Sequence, residues 1–220
     1  SYVTYKNLTS KHNTRTQKIT KITIHHMCAV WSGKECADYF CKTSRQVSAN
    51  YCIGNGGDIA QNVLEEYRAW TSSSSWNDQR AVTIEVSNSK LSGDYPVSDA
   101  AMRSLIALCV DICKRNGIKR LYFDGTKNAS LTWHCFYSNT DCPGAYLKKM
   151  TSYICTEVNK QLGIAPSVST SNPYKKPTMI LNANNAAYKR GRYAGRSEVK
   201  WIHYELHRLG YYNGAIDGYF

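Results

Sequence analysis

The chain is short of acid, of proline and of long apolar runs, and it has no pair of cysteines at CxxC spacing. Its 16 Asp and Glu stand against 28 Lys and Arg, a formal charge of +12. An excess of this size says nothing about fold, but it attracts polyanions over long range. Nucleic acid, an anionic membrane and an acidic wall polymer all qualify on charge alone. The cations are spread along the chain, with one denser stretch at Lys189, Arg190, Arg192 and Arg196. No aromatic-plus-basic reader motif accompanies them, so nucleic acid is not an expected partner. No apolar run approaches the roughly 20 residues of a membrane-spanning helix, so insertion is not expected either. The opening residues, SYVTYKNLTSKHNT, lack the basic head and apolar stretch of a secretory signal. The absence of CxxC argues against a zinc ribbon or a thioredoxin-type redox pair. Nine cysteines are nonetheless present, an odd count at irregular spacing in a chain long enough to need no disulfide staples. Most read as buried, reduced thiols acting as small hydrophobes, with Cys109 and Cys113 on one face of a helix.

With 42% hydrophobic residues the chain can close a core. Lys21 to Met27, KITIHHM, alternates and is β-branched, which predicts a strand, and Ala81 to Val86, AVTIEV, predicts another. Gly33 to Lys42 predicts a short helix with Ala37, Phe40 and Cys41 inward. Asn50–Ile53 and Ile59–Gln61 flank the turn GNGGD and predict a hairpin. Thr71 to Trp76 reads as a serine-rich loop. Ser98 to Asn116 is the clearest helix: Ser98 caps it, Asp99 suits its first turn, Lys114 and Arg115 its last, and Gly117 stops it. Leu121 to Phe123 is a short strand candidate, and a helix is expected from about Gly144 to Gln161. Strands interleaved with helices indicate an α/β fold, one sheet covered by helices. From Gly163 to about Pro177 three of the five prolines gather among Ser and Thr, which reads as a linker. Beyond it Glu198 to Leu209 predicts an amphipathic helix, followed by YYNGAIDGYF. So small a piece does not close a core alone, and it reads as the front part of a second domain.

Two segments carry chemistry. His25 or His26 ends a strand, and HCFYSNTDCPG places His134 and Cys142 around one loop. Two imidazoles and a thiolate are the ligands of a zinc site that keeps one position open. Each residue taken singly is more often structural. Glu85 adds weight: an unpaired carboxylate in an apolar strand is costly, a nearby cation offsets that cost, and hydrolysis needs a base for water. The plainer alternative is an ion pair of Glu85 with an Arg or Lys, Arg80 being one candidate.

The succession ITIHH, SANYCIGNGGDIAQNVLEEYRAWTS, WNDQRAVTIEVSNS and HCFYSNTDCPG resembles the zinc-dependent N-acetylmuramoyl-L-alanine amidases, a family shared by phage endolysins, bacterial wall amidases and animal peptidoglycan recognition proteins. The resemblance covers about Lys18 to Lys160. It implies a central mixed β-sheet flanked by helices, with Zn2+ on His25, His134 and Cys142. It implies Glu85 as general base and Thr140 as a hydrogen-bond donor to the substrate carbonyl. The reaction implied is hydrolysis of the amide between N-acetylmuramic acid and L-alanine. Alternation alone does not choose between His25 and His26; that choice comes from the resemblance. Trp76, Asn77 and Asp78 are expected along the substrate groove, the plainer alternative being a loop anchored by its tryptophan. Three positions depart from relatives: Ala49 where some have tyrosine, Thr71 where histidine is common, and Cys135-Phe136 where Arg-Asp is usual.

The tail EVKWIHYELHRLGYYNGAIDGYF is similar to the start of three-helix peptidoglycan-binding domains. The expected organisation is a catalytic domain over residues 1–162, a linker over 163–177 and a partial wall-binding domain over 178–220. The expected partners are peptidoglycan and anionic wall polymers. The expected setting is a phage or prophage endolysin, made in the bacterial cytoplasm and acting on the wall after release. The competing expectation is a non-catalytic peptidoglycan sensor of the same fold. Sensors generally lack the cysteine ligand, which Cys142 supplies here.

Overall fold

A computed structural model describes residues 2–164 and 197–208. Residues 1–164 form one unit and 165–220 a second. In chain order the first unit contains β1 (Tyr5–Lys6), β2 (His12–Thr14), β3 (Lys21–His26), α1 (Gly33–Lys42), β4 (Tyr51–Ile53), β5 (Ile59–Gln61), β6 (Tyr67–Ala69), α2 (Ser75–Asp78), β7 (Ala81–Val86), α3 (Asp99–Asn116), β8 (Leu131–Trp133) and α4 (Gly144–Gln161). Within the second, the described residues form α5 (Ser197–Arg208), in which Val199 and Ile202 are buried. The expected linker from Ala165 onward and the YYNGAIDGYF segment lie outside the described residues. No helix among the described residues is long and apolar enough to cross a membrane.

Six strands make a mixed sheet in the order β1-β5-β4-β7-β3-β8, and β2 pairs with β6 in a small second sheet. β4, β7, β3 and β8 run parallel, while β4 and β5 form the expected antiparallel hairpin. Period-2 alternation sorts the central strands into two faces. Ile22, Ile24, Val82, Ile84, Val86 and Leu131 face α3 and α4 in the main core. Leu105, Leu108 and Ile112 of α3 reach it fully buried, each worth about 1.5–3 kcal/mol over leaving it in water. The opposite face carries Lys21, Thr23 and His25 beside Ala81, Thr83 and Glu85, and α1 covers part of it through Cys36, Ala37 and Phe40.

The helix ends follow the sequence signals. Ser32 and Glu35 close a capping box on α1. The Ser98 hydroxyl accepts from the Ala101 amide at the start of α3, and Gly117 ends that helix at φ +66°. Leu121–Phe123, expected as a strand, is not one. Leu131–Trp133 takes the sheet position beside β3 instead, and the 121–123 segment meets it through the Tyr122 carbonyl, which accepts from the Leu131 amide, and through the Phe123 ring stacked on Trp133. Trp76, expected in a loop, sits in the short α2, capped by Ser74. All nine cysteines are free thiols, six of them buried, and Cys109 and Cys113 line the core face of α3 as expected.

Candidate metal centre

The site forms where parallel strands end. β3 and β7 pair so that His25 lies directly opposite Glu85, two residues beyond the Thr23–Thr83 pair and on the same face. β8 delivers His134 immediately after its last residue, on the other side of β3. The loop back into α4 brings Cys142 in, and the Cys142 carbonyl accepts from the Cys135 amide at 3.0 Å. One ligand atom from each of His25, His134 and Cys142 falls within 4.8 Å of the others. The Cys142 sulfur lies 3.6 Å from His25 Nδ1, and the two imidazole rings are 4.6 Å apart. The cluster thus contains His25 and not His26. His26 points to the other side, where its ring meets Tyr95 and lies 3.2 Å from the Cys28 sulfur.

Electrostatics at this cluster are those of a site that wants a cation. Burial pushes His25 well below the ordinary histidine range, assisted by His134 and His26, so its imidazole is neutral. Burial also lowers His134. The Cys142 thiol is pushed up, mainly by burial and then by Glu85, and burial lifts the Glu85 carboxyl to about 7. Glu85 Oε1 stands 3.9 Å from His25 Nδ1, too far for a hydrogen bond, and a neutral ring makes no ion pair with it. Glu85 Oε2 and His25 Nε2 are both buried with no hydrogen-bond partner. The alternative partner, Arg80, turns away to the Trp76 carbonyl and the Gln17 side chain. Two neutral imidazoles, one thiol and two unsatisfied buried polar atoms fit a soft divalent ion such as zinc. A cation there would favour the thiolate and the carboxylate, reversing the effect of burial.

Other side chains brace the cluster. The Ser138 hydroxyl meets His134 Nε2 at 3.0 Å, fixing that ring from outside, a role the sequence did not signal. Gly144, at φ +83°, lies so close to His26 that a Cβ would stand 3.0 Å from its ring. Thr140 Oγ1 accepts from the Cys142 amide at 3.2 Å, which leaves its proton to donate elsewhere. Of the three expected groove residues, Asn77 and Asp78 turn inward. Asn77 donates to Thr23 and Ser72, while Asp78 accepts from the Ser72 hydroxyl and from the amides of Thr71 and Ser72. Both are buried, so they hold the loop; only Trp76, 45% exposed, presents its ring to solvent. Thr71 is also structural, its hydroxyl donating to the Ser48 carbonyl. Arg15, absent from the sequence reading, sends its guanidinium to the carbonyls of Glu65, Tyr67, Asp78, Gln79 and Ala81, tying the small sheet to the approach to β7.

The profile of the N-acetylmuramoyl-L-alanine amidase family matches residues 15–145, a span holding every residue of this cluster. The chain belongs to that family. No curated protein matches the chain. Among solved structures, a mutant form of PlyL superposes with a TM-score of 0.58 at 15% identity, covering 70% of this chain and 97% of that one. A mutant endolysin from Bacillus subtilis gives 0.55 at 13%, covering 70% and 97%. The PlyG catalytic domain gives 0.54 at 18%, covering 76% and 98%. At these identities the likeness speaks to fold, and the fold it shares is the mixed sheet with flanking helices described above. Membership of the family makes this chain a peptidoglycan amidase.

Proposed function

We propose that the chain hydrolyses the amide between N-acetylmuramic acid and L-alanine, with His25, His134 and Cys142 holding Zn2+ and Glu85 carrying the proton. The observation that bears most weight is the meeting of three ligand side chains from distant segments beside a buried, unpartnered carboxylate. Zinc bound there supplies Lewis-acid chemistry, lowering the pKa of water and polarising a carbonyl. Glu85 faces the same space. Its carboxylate takes a proton from the attacking water and returns it to the departing amine, and burial keeps competing solvent away from it. The Thr140 hydroxyl donates to the carbonyl oxygen as charge develops there. Trp76, half-exposed and with its ring centroid 6.5 Å from that of Tyr137 in the His134–Cys142 loop, offers an aromatic edge to the substrate. The segment beyond residue 177 serves as a wall-binding piece joined to the catalytic unit by the proline-rich stretch. The reading extends to an endolysin, acting on the wall after release from the cytoplasm.

The test is metal content and wall digestion, measured on the parent, Cys142→Ser and Glu85→Ala. Cys142→Ser is expected to lose zinc and activity together. Glu85→Ala is expected to keep zinc and lose turnover. Thr140→Val should keep zinc and slow turnover by about 10²–10³, the range for loss of one oxyanion donor. Equal activity in all of them would overturn the assignment.

A further inference from the structure

At the amino end of β3, the opposite end from the metal ligands, a cavity of about 490 Å³ opens between residues 18–21 and 116–120. Lys18, Lys21, Lys119 and Arg120 line it, and no carboxylate does. Among the described residues, Lys18, Lys21 and Lys119 form no ion pair with any Asp or Glu. Lys21 is the unusual member. It is 4% exposed, yet its ammonium has only the Lys127 carbonyl at 2.5 Å and the face of the Trp76 ring at 4.6 Å for company. A buried cation without a counter-ion is costly, and an ammonium has three protons to donate. Arg80 stacks on the same Trp76 ring, adding positive charge. Burial, then Arg80, push the Lys21 ammonium below its ordinary range, which an arriving anion would reverse.

The geometry points to this cavity as a binding site for phosphate groups carried on an anionic polymer of sugar or polyol units attached to the wall. Phosphate suits a lining that carries four cationic residues and no carboxylate. A sugar or polyol body suits the exposed ring of Tyr122, which lines the same cavity. The apolar lining residues, Ile19 and Ile118, are themselves buried, so no hydrophobic wedge is offered to a bilayer. The choice of a wall polymer rests on the peptidoglycan reading above; the cavity and its charge do not.

The full chain would be bound to two preparations of the same walls, one intact and one stripped of phosphate polymers by hydrofluoric acid. The variant is Lys18→Gln with Lys119→Gln, both exposed and remote from the metal ligands. A control of equal charge loss is Lys6→Gln with Lys42→Gln. The cavity variant is expected to bind intact walls about tenfold more weakly, with the slope of log affinity against log salt reduced by about 1. The control should bind like the parent, and stripped walls should not distinguish the three proteins. Equal losses in variant and control would overturn the site, leaving only overall charge. Equal binding of the parent to intact and stripped walls would overturn the phosphate polymer as ligand, and so would equally tight capture of single-stranded DNA. Amidase activity on stripped walls is read separately: its absence in the parent would sink the peptidoglycan reading without bearing on the cavity.

Discussion

Replacing Glu85 by Gln separates the cost of this carboxylate from its use. In the metal-free protein, burial lifts the Glu85 carboxyl from an ordinary 4.5 to about 7. The folded chain therefore keeps this proton across a window where the unfolded chain has released it. Stability must fall as pH rises from near 4.5, with the loss complete once pH passes about 7. The gap corresponds to about 3 kcal/mol, at one pKa unit per 1.36 kcal/mol. Gln has nearly the same shape and no charge. After chelation, Glu85→Gln should match the parent near pH 4 and exceed it by about 2–3 kcal/mol at pH 8. Denaturant melts at several pH values read this directly, and taking the difference between the two proteins cancels the titration of His25, to which Glu85 does not contribute. Returning zinc should shrink the advantage, because a cation beside the carboxylate stabilises its ionised form. Turnover in the zinc-loaded variant should fall by about 10²–10⁴, the usual worth of a positioned base. A metal-free variant no more stable than the parent at pH 8 would mean that Glu85 has a partner, and the reasoning from its unsatisfied oxygen would fail.

Three further outcomes follow from contacts around the site. Gly144→Ala places a Cβ 3.0 Å from the His26 ring at a φ of +83°, and should cost about 1–3 kcal/mol in a denaturant melt without altering zinc content. Asn77→Ala leaves Thr23, Ser72 and Asp78 short of a buried partner, and should cost about 1–3 kcal/mol while leaving the metal ligands in place, read by melt and metal analysis together. Ser138→Ala frees one side of the His134 ring and should weaken zinc affinity about 10–100-fold in a competition titration.

Most of the scaffold was legible because its longer elements announce themselves. α3 has a capping serine, a stripe of apolar residues and a stop glycine, and α1 has a capping box. β3 and β7 alternate for six residues each. The strands that escaped, β1, β2, β6 and β8, are two or three residues long, too short for any period to show. Leu121–Phe123 looks at least as strand-like as Leu131–Trp133, but strand identity is decided by the neighbour, and β3 pairs with the latter. Within the site, the ligand types and Glu85 were readable as chemistry, and the pairing of His25 with Glu85 had a signal that went unused. In KITIHH the polar set is Lys21, Thr23, His25; in AVTIEV Glu85 shares its set with Thr83. Matching the two polar sets across a parallel pair selects His25 without any appeal to relatives. Asn77 and Asp78 could not be read as interior residues from sequence, since their burial depends on Thr23 and Ser72 arriving from elsewhere in the fold.

The polar face of the sheet relates the proposed catalytic centre to the proposed anchoring cavity. Thr132, Thr23 and Thr83 lie in register across three parallel strands, fully buried, with Thr23 and Thr132 bonded to each other and Thr83 to Asn50. Buried hydroxyls are tolerated because each finds a partner in this row. Its two ends are less complete: at the carboxyl end Glu85 Oε2 and His25 Nε2 have no hydrogen-bond partner, and at the amino end the Lys21 ammonium has a carbonyl and a ring but no counter-ion. His25 and Lys21 are four residues apart on one strand, about 13 Å at the usual rise. Both ends are short of a counter-charge of opposite kind, a cation at one and an anion at the other. A wall segment held by its phosphates at Lys21 would therefore keep glycan close to Glu85 without touching it, raising effective concentration and leaving the chemical step alone. Loss of the cavity cations should then raise KM on intact walls with kcat unchanged. A fall in kcat at constant KM would instead place those cations in the reaction itself.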